Sequence, residues 1–296
     1  MTEFIGSRIL PECVYHRPAG LAEVLSLMQD ASPAVLVAGC TDFIPALRKG
    51  VWSYPDSIGL IDLTQVPELT RITQNDNTIL IGGATRLKEI VASELIQEQV
   101  PLLAQAVQEM ASLQVRNSAT IGGNLCTASP AADTAPPLLA LNAELCLVNS
   151  QGQEERLPLT DFFTGPGQTV LGPGRLLKAI HIPIPNKNVR FFRKKMGLRK
   201  AFTISVISMA LQASVQDATF HDVALAFGAV APTPMRAPQV EQILEGKACS
   251  GELLDRAAAL AAETVSPISD VRASAEYRRE MAAVFTRRGL QQIMES

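Results

Sequence analysis

The sequence has little of what marks the common hydrolytic and nucleotide-cleaving chemistries. Its three histidines, His16, His181 and His221, stand far apart, and neither H-E-x-x-H nor G-x-S-x-G with a compatible Asp and His occurs. Each histidine therefore reads as a surface or hydrogen-bonded structural residue. No G-x-x-x-x-G-K-[ST] is present, and Gly165-Pro-Gly167 stops short of G-x-G-x-x-G. The five cysteines, Cys13, Cys40, Cys126, Cys146 and Cys249, are odd in number and never spaced C-x-x-C. That excludes a local Cys-based zinc or iron–sulfur site and fits reduced thiols. No apolar run approaches the ~18 residues that cross a bilayer. Met1 to Leu10, with its early acid Glu3, does not read as a signal peptide. A soluble, cytoplasmic chain is expected.

Charge of one sign is scarce as well. The net charge is −3 and the pI about 5.7. Arg190, Arg193, Lys194, Lys195, Arg199 and Lys200 form the one basic concentration. This argues against a nucleic-acid binder and leaves room for one anionic ligand.

What is present is an ordinary globular composition, 47% hydrophobic and 19% charged, over 296 residues, long enough for two or three domains. One stretch stands out, Ser118 to Asp133. Two adjacent glycines, Gly122 and Gly123, accompany Ser118, Thr120, Asn124, Thr127 and Ser129 ahead of the Asp133 carboxylate, and the apolar run Pro136–Leu141 follows. Glycines let a backbone turn sharply and approach a ligand. Successive N–H groups in such a turn suit phosphate oxygens, and the side chains would serve a hydroxyl-rich remainder. The alternative is a plain Gly-containing connection. Ala34–Ala38 reads as a short strand running into Gly39-Cys40-Thr41-Asp42, a second phosphate-binding outline, with Asp42 alternatively a simple helix cap. Gly82-Gly83 forms a third turn. Together they imply a phosphate-bearing, hydroxyl-rich ligand, and a dinucleotide fits the number of polar positions.

Periodicity predicts a helix from Leu21 and a strand over Asp56–Leu63. A hairpin of Leu69–Thr73 with Thr78–Gly82 follows, then a helix from Leu87 and one over Pro101–Gln114. Ala143–Val148 reads as a strand. Leu176–Pro185 reads as an edge strand because it ends in prolines. The best domain boundary is Pro183–Asn188. Beyond it strands are expected around Arg190–Met196, Thr203–Ala213 and Asp222–Val230, then helices from Val240, Gly251 and Ala275. The order is mixed α+β, without regular βαβαβ alternation.

The ordered motifs resemble the FAD-binding subunit of molybdenum hydroxylases, the xanthine dehydrogenase and carbon monoxide dehydrogenase type. They are Val37–Asp42, Ile81–Thr85, Gln114–Asn124, Ser129–Asp133, Phe162–Gly167, Lys195–Arg199, Gly228–Arg236 and Ser269–Arg279. The resemblance runs from about Tyr15 to Arg288. It implies a vanillyl-alcohol-oxidase-like (PCMH-type) FAD-binding domain over residues 1–183, with subdomains of about 1–57 and 58–183. A C-terminal α+β domain of the CO dehydrogenase flavoprotein type would span 188–296.

By that resemblance, Val37, Ala38, Gly39, Cys40, Thr41 and Asp42 embrace the FAD pyrophosphate together with Ser118, Thr120, Ile121, Gly122, Gly123 and Asn124. Asp133 binds the ribityl chain with Thr127 nearby, Leu171 lies near the adenine, and Lys195 lies near the flavin edge. The partners implied are a molybdopterin-binding large subunit and a [2Fe–2S] small subunit, assembled as a dimer of heterotrimers, with NAD(H) among the acceptors. The resemblance implies no metal site on this chain and no certain catalytic residue. Two positions depart from the family pattern: Cys40 stands where a second glycine is usual, and Thr203 where an Asp is usual. The expected function is electron transfer through FAD in a multisubunit hydroxylase. A stand-alone FAD oxidoreductase and a redox-silent flavin-binding module are the alternatives.

Overall fold

The computed structural model describes residues 11–30, 34–51, 57–199 and 202–295. Met1–Leu10, Asp56 and Lys200, on which expectations above rest, lie outside the described residues.

The described residues up to Asp62 do alternate. Strand β1 (Glu12–His16), helix α1 (Leu21–Asp30), β2 (Ala34–Val37), α2 (Phe43–Lys49) and β3 (Ser57–Asp62) make a parallel three-stranded sheet ordered β1-β3-β2. The expectation of no βαβαβ alternation fails here. β1 is solvent-exposed along most of its length and so lacks the apolar run that reveals a parallel strand. Val24, Ile61, Val66 and Leu69 close the core beneath this sheet.

A short helix, α3 (Pro67–Thr70), replaces the start of the expected hairpin, which comprises β4 (Ile72–Asn75) and β5 (Thr78–Gly82). The helix expected over Pro101–Gln114 is two. After α4 (Leu87–Ala92) and α5 (Glu94–Gln99), α6 (Pro101–Gln108) ends before Ala111, which takes a left-handed φ of 46°. Ser112 then caps α7 (Leu113–Ser118) by accepting from Val115 N at 3.1 Å.

Helices α8 (Ile121–Thr127) and α9 (Ala135–Ala140) lead into β6 (Glu144–Asn149) and β7 (Glu154–Pro158). A small ribbon, β8 (Phe163–Gly165) with β9 (Gln168–Thr169), precedes β10 (Arg175–Pro183). The second sheet is ordered β4-β5-β10-β6-β7, so β10 is central rather than an edge. Its proline misleads because Pro183 is the last paired residue, opposite Thr78, where the missing N–H interrupts nothing further along.

The C-terminal part is an antiparallel sheet of β11 (Arg190–Met196), β12 (Ile207–Gln216), β13 (Thr219–Gly228) and β14 (Met235–Arg236). Helices α10 (Pro238–Leu244) and α12 (Ala275–Glu295) pack on it, and α11 (Gly251–Thr264) packs on those two helices. The two parts share a core. Ala210, Ala224 and Ala226 of β12 and β13 are buried in the same cluster as Leu138 and Leu139 of α9. Small side chains there let the fully buried α9 lie directly on the sheet.

Polar contacts pin the same seam. Arg193 reaches Glu109 Oε2 at 2.7 Å and Gln105 O at 3.3 Å, and Ala229 N donates to Pro130 O at 2.7 Å. The Ser269–Arg279 motif is a structural knot. The buried Arg278 donates to Asp270 Oδ1 at 2.7 Å and to Ala229 O at 2.7 Å. Hydrogen bonds from the Arg272 backbone and the Arg278 side chain outweigh burial and hold the Asp270 carboxyl down to about 2.

Candidate functional site

The two Gly-centred segments, about eighty residues apart in sequence, lie in contact. A Cβ on Gly39 would stand 2.3 Å from Ser118 O and 2.6 Å from Ala119 Cα, so only glycine fits that crossing. Across the same junction Thr127 Oγ1 donates to Asp42 Oδ2 at 3.1 Å. The structure thus brings Gly39–Asp42, Ser118–Asn124 and Thr127 together.

The segment around Gly122 is not the expected loop. Ile121–Thr127 is helical, with Thr120 as N-cap accepting from Gly123 N at 3.1 Å. Gly39, Gly82, Gly83, Gly122 and Gly123 all lack a positive φ. These glycines serve close packing. A Cβ on Gly122 would meet Gly83 O at 2.3 Å, and one on Gly83 would meet Leu177 O at 2.2 Å. The backbone donors are taken too: Ile121 N goes to Thr85 O, Gly122 N to Gly83 O and Asn124 N to Thr120 O, at 2.9 to 3.0 Å. The Asn124 side chain accepts from Thr134 Oγ1 at 2.6 Å. Gly122 and Gly123 therefore offer no open nest, because Gly83 O takes the donor of Gly122 and the Thr120 hydroxyl that of Gly123.

The first turn differs. Among the described residues, the N–H groups of Gly39, Cys40, Thr41 and Asp42 have no hydrogen-bond acceptor. Asp42 occupies the N-cap position of α2 but makes no capping bond, which removes the simple-cap alternative. Cys40 takes φ 54°, the left-handed region a glycine would occupy freely. Burial and the neighbouring Asp62 carboxylate push its thiol above the ordinary range, so it stays protonated at neutral pH. Val37, buried at the end of β2, and the half-buried Ala38 carry the chain into this turn.

Asp133 follows α8 and faces the C-terminal sheet. Lys195 Nζ, on β11, donates to its Oδ2 at 2.5 Å, with side chains 7% and 11% exposed. Ser205 Oγ donates to Oδ1 at 2.6 Å. Ser205 escaped the sequence reading. Its one signal is a hydroxyl among the apolar residues Ile204, Val206 and Ile207. Beside the ion pair an open groove of about 450 Å³ is lined by Glu109, Lys194, Lys195, Met196, Gly197, Arg199 and Thr203. Thr203 is wedged against Gly197, where a Cβ would lie 2.1 Å from its methyl. Leu171 packs on the main core, half-buried, its N–H donating to Thr169 Oγ1 at 3.1 Å. A separate cavity of about 570 Å³ between Asn149–Glu155 and Pro173–Arg175 contains none of these residues.

No helix is long and apolar enough to cross a membrane, and no cluster of metal-binding side chains occurs, among the described residues.

A family model described as the FAD binding domain in molybdopterin dehydrogenase matches residues 8–185, and the CO dehydrogenase flavoprotein C-terminal domain matches residues 192–293. The chain is 33% identical to a xanthine dehydrogenase FAD-binding subunit of Escherichia coli O157:H7, over 93% of each chain. It is 32% identical to the glyceraldehyde dehydrogenase medium chain of Sulfolobus acidocaldarius, over 96% of this chain and 99% of that one. A carbon monoxide dehydrogenase structure from Hydrogenophaga pseudoflava superposes with a TM-score of 0.89 at 29% identity, covering 96% of this chain and 98% of its own.

Proposed function

Because the chain belongs to the FAD-binding subunits of the molybdenum hydroxylases, oxidoreductases in which FAD is this subunit's cofactor, we propose that it relays electrons. It takes them from [2Fe–2S] clusters on a small partner subunit and delivers them to a terminal acceptor, NAD+, oxygen or another carrier. A molybdopterin-binding large subunit carries the organic substrate. The relatives are named for xanthine, glyceraldehyde and carbon monoxide at 33, 32 and 30% identity. Likeness to this subunit therefore does not track the substrate.

The observation that carries the reading is the turn Gly39–Asp42. Four backbone N–H groups without an acceptor, at the end of β2, suit the oxygens of a pyrophosphate. They stand at the C-terminal ends of parallel strands, where such ligands bind. Ser118 and Thr120 border that turn from α7 and α8. Asp133 accepts from ribityl hydroxyls, and Lys195 places a positive charge at the flavin edge. Leu171 offers an apolar contact to the adenine. Bound FAD supplies the conversion between single electrons and an electron pair; the protein residues bind and orient it.

The test is the visible spectrum of the purified chain, alone and after co-expression with its partners. Flavin absorbance and co-purifying molybdenum and iron are expected. Absence of flavin from both preparations would refute the reading, and rapid reduction by NADH would identify a pyridine nucleotide as the carrier.

A further inference from the structure

Asp133 belongs to the part of the chain that the FAD-binding model matches, yet both of its oxygens are held from the other part. Ser205 Oγ donates to Oδ1 at 2.6 Å and Lys195 Nζ to Oδ2 at 2.5 Å. Ser205 is 1% exposed and, among the described residues, its hydroxyl has no other partner. We propose that Ser205 is a positioning residue of the cofactor site: it fixes the rotation of the Asp133 carboxylate, so that the C-terminal domain completes the site. This rests on the FAD reading above.

A carboxylate has about four acceptor positions and an ammonium three donors. Ser205 and Lys195 together occupy two of the four positions, which leaves Asp133 free to accept from ligand hydroxyls, and Lys195 keeps two donors. With Lys195 alone, one oxygen is anchored by a long, flexible side chain and the plane of the carboxylate can turn. The hydroxyl from Ser205 anchors the other oxygen and removes that freedom.

A mere clamp between the two parts would not need this hydroxyl. Arg193 on Glu109, Arg236 on Leu139 O and Asn142 Oδ1, and the apolar face of α9 already hold the seam. The serine lies instead at the one ion pair facing the proposed ligand. Leu198, Phe202 and Ile204, described residues between Gly197 and the serine, are exposed and lend it little packing.

The experiment titrates FAD into the flavin-free full-length chain, followed by flavin fluorescence. Ser205→Ala is expected to weaken FAD about tenfold, as loss of one hydrogen bond to a charged group would. Ser205→Thr, which keeps the hydroxyl, should restore most of the affinity. In an Asp133→Ala background Ser205→Ala should add almost nothing, because the residue acts through that carboxylate. Wild-type affinity in Ser205→Ala, or an equal loss with and without Asp133, would overturn the proposal. If Ser205→Ala does not fold, Ser205→Cys replaces it in the same cycle. A wild-type chain that takes up no FAD either alone or in the co-expressed complex would refute the functional reading itself, which the wild-type arm alone reveals.

Discussion

The turn Gly39–Asp42 and the segment Ser118–Asn124 have matching residue types and touch each other, yet their backbones do opposite work. In the second, the donors of Ile121 to Asn124 are all bonded within the protein, two to Thr85 and Gly83 just beyond β5 and two to Thr120 at the helix cap. Its glycines admit that neighbouring chain. In the first, one glycine admits the crossing at Ser118, and the following N–H groups remain unpaired. A Gly-Gly pair in sequence is thus a packing signal in one place, while a single glycine precedes a turn with unpaired donors in the other. What distinguishes them is whether a second chain lies within hydrogen-bonding reach.

Gly122→Ala strikes the packing side hardest. A Cβ 2.3 Å from Gly83 O requires the backbone to move. The expected cost is about 3 kcal/mol in denaturant unfolding. Tolerance of alanine would break the comparison.

Thr120→Ala removes the cap of α8 and should cost about 1 kcal/mol. Asp42→Ala, at an N-cap position without a capping bond, should stay within about 0.5 kcal/mol. Equal losses in the two would mean that the turns are not the opposites described here.

Cys40→Gly removes a left-handed non-glycine residue and should stabilise the chain by up to about 1 kcal/mol, read in the same unfolding assay. Because the Cys40 thiol is shifted upward, its thiolate fraction at any pH is below that of an ordinary thiol. Alkylation of its peptide should therefore lag behind that of the exposed Cys13 at pH 8 and catch up as pH rises, measured by mass spectrometry.

The sequence made visible those elements whose burial follows a simple period. The bounds of β11 match the expected strand, and α11 and α12 begin where expected because one face of each helix is apolar. Helix α8 was hidden because two glycines lower helix propensity by about 1 kcal/mol each, and tertiary contacts offset this. β1 was hidden by its exposure, and the central place of β10 by a proline at its last position. At the site, the motifs named the two turns and Asp133, since glycine and carboxylate are conspicuous there. Ser205 joins Asp133 only through the docking of β12 and β13 on α9, a contact across 72 residues that no local pattern records.

Backbone hydrogen exchange on the flavin-free chain, repeated with FAD, tests the central claim most directly. The account predicts slow exchange at Ile121–Asn124 in both states, and fast exchange at Gly39–Asp42 that becomes protected when FAD binds. Protection gained at Ile121–Asn124, with Gly39–Asp42 unchanged, would contradict it.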